Sequence, residues 1–106
     1  MTTKPSKFDA GEFPLLREFA RGYLHQDFRL EYESAIAAAQ AYQNDLHVAE
    51  RERLLHEASR MLRLAQSWTV SEARAAITML GSPWKPDEAE DVLRLLRTLS
   101  EDSGYC

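Results

Sequence analysis

The chain has 106 residues, the size of one domain, and its 44% apolar and 28% charged residues are typical of a globular protein. Its net charge of −4 argues against nucleic-acid binding, which usually needs concentrated lysine and arginine, and permits a basic protein partner. A polar N-terminus, no apolar run near the ~20 residues of a membrane span, and a single cysteine predict a cytoplasmic protein without signal peptide or membrane contact.

Helix-favouring residues dominate the composition: alanine, leucine, glutamate and arginine are all abundant. The predicted fold is therefore all-α, a compact single-domain bundle of about five helices joined by short loops. Three segments are predicted along the chain: a flexible leader over 1–12, a helical domain over 13–100 and a polar tail over 101–106.

Pro14 marks the start of the first predicted helix, because proline is tolerated in the first helical turn. Apolar residues at helical spacing extend that helix to about residue 25. The second helix follows Ser34, a favourable N-cap, and is predicted to end at "QND", residues 43–45, because these residues favour loops.

A long apolar stripe defines the third helix, from about 47 to 67: Leu54, Leu55, Ala58, Met61, Leu62 and Ala65. Four charged side chains lie off this stripe and are predicted to be solvated: Glu50, Arg53, Glu57 and Arg60. Thr69 and Glu72 have capping-box spacing at the start of the fourth helix, which Gly81 should end. After the turn-rich "GSPWKP" comes a fifth helix, with Ala89, Val92, Leu93, Leu96 and Leu99 facing inward.

Catalytic and metal motifs are not found in the sequence. His25 and Asp27 are two residues apart, so a helix would not bring them to one face. Glu52 and His56 are four apart, but two ligands do not make a closed metal site, and HExxH, CxxC and GxSxG spacings are absent. We expect no metal, no cofactor and no enzyme activity, although acid–base chemistry by His25 with Asp27 stays open.

A helix-turn-helix is an alternative reading of the third and fourth helices, which "SWT" joins. The second of these helices offers only Arg74 to read bases, while Arg60 and Arg63 could contact phosphates. The negative net charge makes this DNA-binding reading the weaker one.

The acidic run Asp87, Glu88, Glu90 and Asp91 lies at the start of the fifth helix. It has two interpretations. The carboxylates could simply interact with the helix dipole, worth about 0.3–1 kcal/mol each when exposed. Alternatively, they could form an electronegative surface that steers a basic partner.

The segment "GYLHQDF", residues 22–28, also allows a structural and a functional reading. In the structural reading, Tyr23 and Leu24 belong to the core, and His25 and Gln26 bond the last carbonyls of the first helix. Phe28 would then pack under the next turn.

Longer stretches around this segment, "FPLLREFARGYLHQDF" (13–28) and "EYESAIAAAQAY" (31–42), resemble the opening signature of the immunity proteins of contact-dependent growth inhibition systems. The matching positions include Phe13, Pro14, Gly22, Tyr23, His25, Gln26, Asp27 and Phe28. "ERLLHE" (52–57) and "LGSPWKP" (80–86) resemble later parts of the same pattern. Glu33 departs from the family's glycine, and "DVLRLL" replaces an expected Trp-Leu pair.

This resemblance implies a protein that binds the C-terminal domain of a cognate toxin, often a nuclease, and blocks it without chemistry of its own. Toxins in these systems vary, so the shared positions listed above are interpreted as scaffold. We expect the toxin to be read by Asp87, Glu88, Glu90 and Asp91, with Glu31 and Glu33 as a second patch. The alternatives are a helical adaptor or orphan family member without a toxin partner, and a small DNA-binding regulator.

Overall fold

Short connections join a series of α-helices in the computed structural model, which describes residues 8–25 and 28–101, with the backbone alone at 28 and 29. The elements are a 3-10 turn at Ala10–Glu12, α1 (Pro14–Gly22), α2 (Phe28–Glu31), α3 (Ala35–Asp45), α4 (Val48–Ala65), α5 (Val70–Leu80) and α6 (Ala89–Leu99). No strand occurs in the part of the chain that is described. The predicted all-α bundle is confirmed, with five helices longer than one turn.

Helix α6 lies at the centre of the packing and contacts α3, α4 and α5, while α1 crosses α4 and α5. The apolar face of each helix is turned inward, so that Leu16, Met61 and Leu96 are nearly inaccessible to solvent. Ala38 and Ala39 are fully buried in α3, and their small side chains let α6 approach closely. The apolar periodicity of the sequence therefore predicts most of this core, although in α6 the structure buries Leu95 and leaves the predicted Ala89 and Leu93 half-buried.

Phe8 extends the packed part of the chain towards the N-terminus. Its ring stacks on Phe13, with centroids 5.4 Å apart, and meets the edge of Trp68 at 5.6 Å. Only 8% of Phe8 is exposed. The Phe8 side chain is thus packed against the helices; of the predicted leader over 1–12, residues 1–7 lie outside the described residues.

Most helix ends follow the local chemistry of the sequence. Ser34 Oγ accepts the N–H of Ala37 at 3.1 Å and caps α3. Thr69 and Glu72 form the predicted capping box, with N–O distances of 3.0 and 3.2 Å. Gly81 ends α5 in the left-handed region at φ 104°, which a glycine adopts without steric cost.

Other helix bounds differ from the predictions. Helix α1 ends at Gly22 rather than 25, and the single turn α2 was not predicted. Helix α3 continues through Asp45, and Gln43 is a buried residue of its last turn. Hydrogen bonds to other parts of the chain hold Gln43 there. Its amide donates to the carbonyls of Thr98 and Glu101, each at 2.9 Å, and its carbonyl accepts from Arg51 Nε at 2.9 Å.

The prediction that Glu57 is solvated is wrong. Glu57 lies in α4 and only 7% of the residue is exposed. Its Oε1 accepts hydrogen bonds from the N–H groups of Leu15 and Leu16 at 2.9 and 3.1 Å. These are N–H groups of the first turn of α1, which have no partner inside the helix. The Tyr42 hydroxyl donates to the Leu15 carbonyl at 2.9 Å, so α3 and α4 together hold the start of α1.

Burial gives Glu57 an unusual titration. Desolvation raises the pKa of its carboxyl, although the hydrogen bonds from Leu16 and Leu15 and the nearby Arg60 and Arg53 act in the opposite direction. The folded protein thus binds this proton more tightly than the unfolded chain does. Glu57 therefore favours folding most below the usual glutamate pKa of about 4.3, and this contribution is lost as pH rises through the folded-state pKa.

We predict that Glu57→Ala destabilises the protein by about 2–4 kcal/mol, because two buried N–H groups lose their acceptor. Glu57→Gln should cost less, since its amide oxygen can still accept a hydrogen bond. As pH rises above about 4.3, the unfolding free energy of the wild type should fall relative to that of Glu57→Gln. Urea unfolding from pH 4 to pH 8 measures the unfolding free energy of all three proteins. A difference between the wild type and Glu57→Gln that does not change with pH would contradict the raised pKa of Glu57.

Candidate functional site

A surface groove of about 360 Å³ separates the start of α3 from the start of α6. Its carboxylates are Glu33, Asp87 and Asp91. Trp84, Pro86 and Ile36 supply apolar surface, and Lys85 and Arg94 also contribute to the walls. We call this cavity and the adjoining carboxylate of Glu88 the acidic groove.

The connection from Gly81 to Glu88 forms one wall of the acidic groove, and several hydrogen bonds fix its path. The buried Ser82 hydroxyl donates to the Leu24 carbonyl at 2.7 Å and accepts from the N–H of Trp84 at 3.1 Å. Arg74 Nε donates to the Pro86 carbonyl at 2.7 Å. The half-buried Trp84 is consequently presented on a backbone that is held at both ends.

The four acids at the start of α6 divide into two kinds. Asp91 Oδ2 accepts the N–H groups of Asp87 and Glu88 at 3.2 and 3.1 Å, and therefore caps the helix. Glu90 pairs with Arg97 at 3.1 Å along the same helix. The structural interpretation thus accounts for Asp91 and Glu90, and in part for Glu88, the exposed N-cap residue that shares the capping box with Asp91. Asp87 is exposed and lines the groove.

The second predicted patch consists of Glu31 and Glu33, and only one of them lines the groove. Glu31 Oε1 lies 2.9 Å from His25 Nε2. Glu33 is exposed and lines the acidic groove opposite Asp87. The fold therefore brings Glu33, Asp87 and Asp91 together, while Glu31, Glu88 and Glu90 do not line the cavity itself.

The segment 22–28 links three helices. Leu24 is buried, as predicted, whereas Tyr23 is half-buried and donates its hydroxyl to Asp45 at the end of α3. This hydrogen bond raises the pKa of Tyr23 to about 12. His25 contacts Glu31, a partner other than the predicted one, which was the last carbonyls of α1. Gln26, Asp27 and the side chain of Phe28 lie outside the described residues.

Two other scaffold positions, Phe13 and Pro14, have clear structural roles. Phe13 is 1% exposed, and Pro14 occupies the first turn of α1. Gly22 is different, because a Cβ built there meets nothing within 4 Å. Its place in the pattern is not explained by a steric requirement.

The arginines proposed for DNA contact are largely used inside the protein. Arg74 holds the Pro86 carbonyl, as described above. Arg60 lies 4.8 Å from the centre of the Phe13 ring and 3.1 Å from Glu12. These contacts weaken the helix-turn-helix reading. Within residues 8–25 and 28–101, no cluster of three or more His, Cys, Asp or Glu side chains could hold a metal ion, and no described helix is long and apolar enough to span a membrane.

Comparison with protein families gives a match to the model for the CdiI immunity protein over residues 12–102. The chain belongs to the CdiI immunity protein family. The match includes every helix and all residues of the acidic groove, and it agrees with the resemblance found in the sequence. Comparison with curated proteins and with solved structures gave no match.

Family membership implies a toxin-neutralising immunity protein whose partner is a cognate toxin protein. Immunity proteins of this kind are generally non-enzymatic.

Trp84, Lys85 and Arg94 are groove residues that sequence reasoning missed. A tryptophan and a lysine between two prolines were visible in "GSPWKP" as a fixed turn that presents an aromatic side chain. Arg94 carries no such signal, because only the packing of α6 against α3 places it at the groove.

We predict that Ser82→Ala lowers the free energy of unfolding by about 1–3 kcal/mol, because the buried Leu24 carbonyl loses its donor. Ser67→Ala is the control, since the exposed Ser67 hydroxyl also donates to a backbone carbonyl, that of Leu64. The control should change stability by less than about 0.5 kcal/mol. Urea unfolding of both variants measures this, and equal losses would show that Ser82 has no special role.

Proposed function

We propose that this immunity protein binds the C-terminal domain of a contact-dependent growth inhibition toxin, that this domain is a nuclease, and that binding occludes its active site. The observation that carries the proposal is the convergence of Glu33, Asp87 and Asp91 on one groove, with Glu88 beside it. Glu33 comes from the segment before α3, and the other three acids come from one short run at the start of α6. The fold therefore adds the carboxylate of Glu33 to that run, in a groove whose walls also carry Lys85 and Arg94.

The chemistry of the acidic groove suits a nuclease. Proteins that hold nucleic acid neutralise phosphates with lysine and arginine, so the corresponding surface is basic. Carboxylates from an inhibitor can take the place of those phosphates. Trp84 adds an aromatic surface over which an arginine of the partner can stack.

Exposed carboxylates at the rim should act mainly on the rate of association. Asp87 and Glu88 are exposed, and charges at the rim of an interface change the association rate and its dependence on salt. The net charge of −4 adds to the attraction of a basic toxin domain. We therefore expect fast, salt-sensitive binding.

The test is reversal of the two rim charges in the double variant Asp87→Lys/Glu88→Lys. Glu88 is the N-cap residue of α6 and shares a capping box with Asp91, so urea unfolding of the double variant serves as the control for the loss of that cap. Affinity for the C-terminal domain of the cognate toxin should fall by about tenfold or more, with a shallower dependence on salt. Surface plasmon resonance from 50 to 500 mM salt measures both quantities.

The matched control is Glu18→Lys/Glu52→Lys, which changes the net charge equally at exposed positions of α1 and α4. It should keep most of the affinity. If both double variants bind alike, the acidic groove does not face the toxin. Digestion of tRNA and of DNA by the toxin domain, with and without one equivalent of the immunity protein, tests the nuclease assignment.

A further inference from the structure

Leu30, on the single helical turn α2, exposes 85% of its surface, more than the other large apolar side chains that stand out at the surface, Val48 and Met79. One exposed leucine is ordinary on a protein surface. Leu30 differs because its surroundings hold it in place and because it adjoins the acidic groove. We propose that Leu30 is the apolar anchor of the interface with the toxin, an inference that rests on the proposed function.

Contacts of the two residues that follow Leu30 hold the end of α2 in place. His25 Nε2 lies 2.9 Å from Glu31 Oε1. The Tyr32 ring stacks on Tyr23 with centroids 6.0 Å apart. The position of the exposed leucine is therefore set before binding, which lowers the entropy cost of burying it in a complex.

Leu30 is also close to the acidic groove. Leu30 and Glu33 are three positions apart in the chain, so their Cα atoms lie at most about 11 Å apart. Glu33 lines the groove together with Trp84 and Asp87. One partner can thus contact Leu30 and the groove at the same time.

This arrangement specifies the partner. Interfaces derive most of their affinity from a few buried apolar or aromatic groups, surrounded by a polar rim. Here Arg29 precedes the leucine, and Glu31 and Glu33 follow it on the side of the groove. The occupant is therefore the toxin domain that the acidic groove binds, through an apolar recess beside the groove, and the net charge of −4 disfavours a second copy of this acidic chain.

The test compares Leu30→Ala and Leu30→Asp in the full chain, bound to the C-terminal domain of the cognate toxin. Because Leu30 is exposed, both variants should unfold at the same urea concentration as the wild type. Leu30→Ala should bind about tenfold more weakly, mainly through faster dissociation, and Leu30→Asp more weakly still. The slope of affinity against salt should not change for Leu30→Ala, since no charge is removed.

Val48 gives the matched control, because it is 71% exposed at the start of α4. Val48→Ala and Val48→Asp should bind like the wild type. If the Leu30 variants do so as well while Asp87→Lys/Glu88→Lys loses affinity, the anchor is refuted and the proposed function stands. If all of them bind like the wild type, both fail. A free chain that sediments as a dimer, and as a monomer with Leu30→Asp, would assign Leu30 to self-association and overturn the proposal.

Discussion

The carboxylate of Glu57 holds the start of α1 against α4, and the rest of the arrangement depends on this contact. It accepts two N–H groups that no residue of α1 can accept, and it does so in a place from which water is largely excluded. The contact joins positions that are 41 and 42 residues apart. With the start of α1 fixed, its apolar face is directed onto α4 and α5, and its end reaches the position where Ser82 can bond Leu24.

A chain of contacts leads from there to the functional surface. Leu24 closes the turn after α1, and Ser82 ties that turn to the connection between α5 and α6. Arg74 holds the same connection from α5. The half-buried Trp84 and the exposed Asp87 belong to a segment whose backbone is fixed by these bonds.

Local chemistry made much of this fold predictable. The stripe through α4 follows the helical period, and the Ser34 and Thr69 caps and Gly81 act on their immediate neighbours. The end of α3 was not predictable in this way, because Gln43 is held in part by a carbonyl 55 positions away. Glu57 was missed because its charge was taken as a sign of exposure. Its spacing of three and four residues from Leu54 and Met61 was the available signal that it faces inward.

The candidate site was predictable only as separate pieces. Four acids stood out at the start of α6, but their sequence gives no means of separating the helix cap Asp91 from the rim residue Asp87. Glu33 was named as part of a second patch, and only the packing of α3 on α6 makes it face Asp87. Leu30 belongs to a turn too short to show a period, so no sequence pattern pointed to its exposure.

The two walls of the acidic groove belong to segments separated by about half of the chain, residues 33–36 and 84–94. A protein bound to both walls would oppose the separation of α3 from α6, because it would have to dissociate first. Binding would therefore stabilise the folded domain by a free energy that grows with the logarithm of the partner's concentration relative to its Kd. A bound molecule should consequently be cleaved by proteases more slowly than a free one.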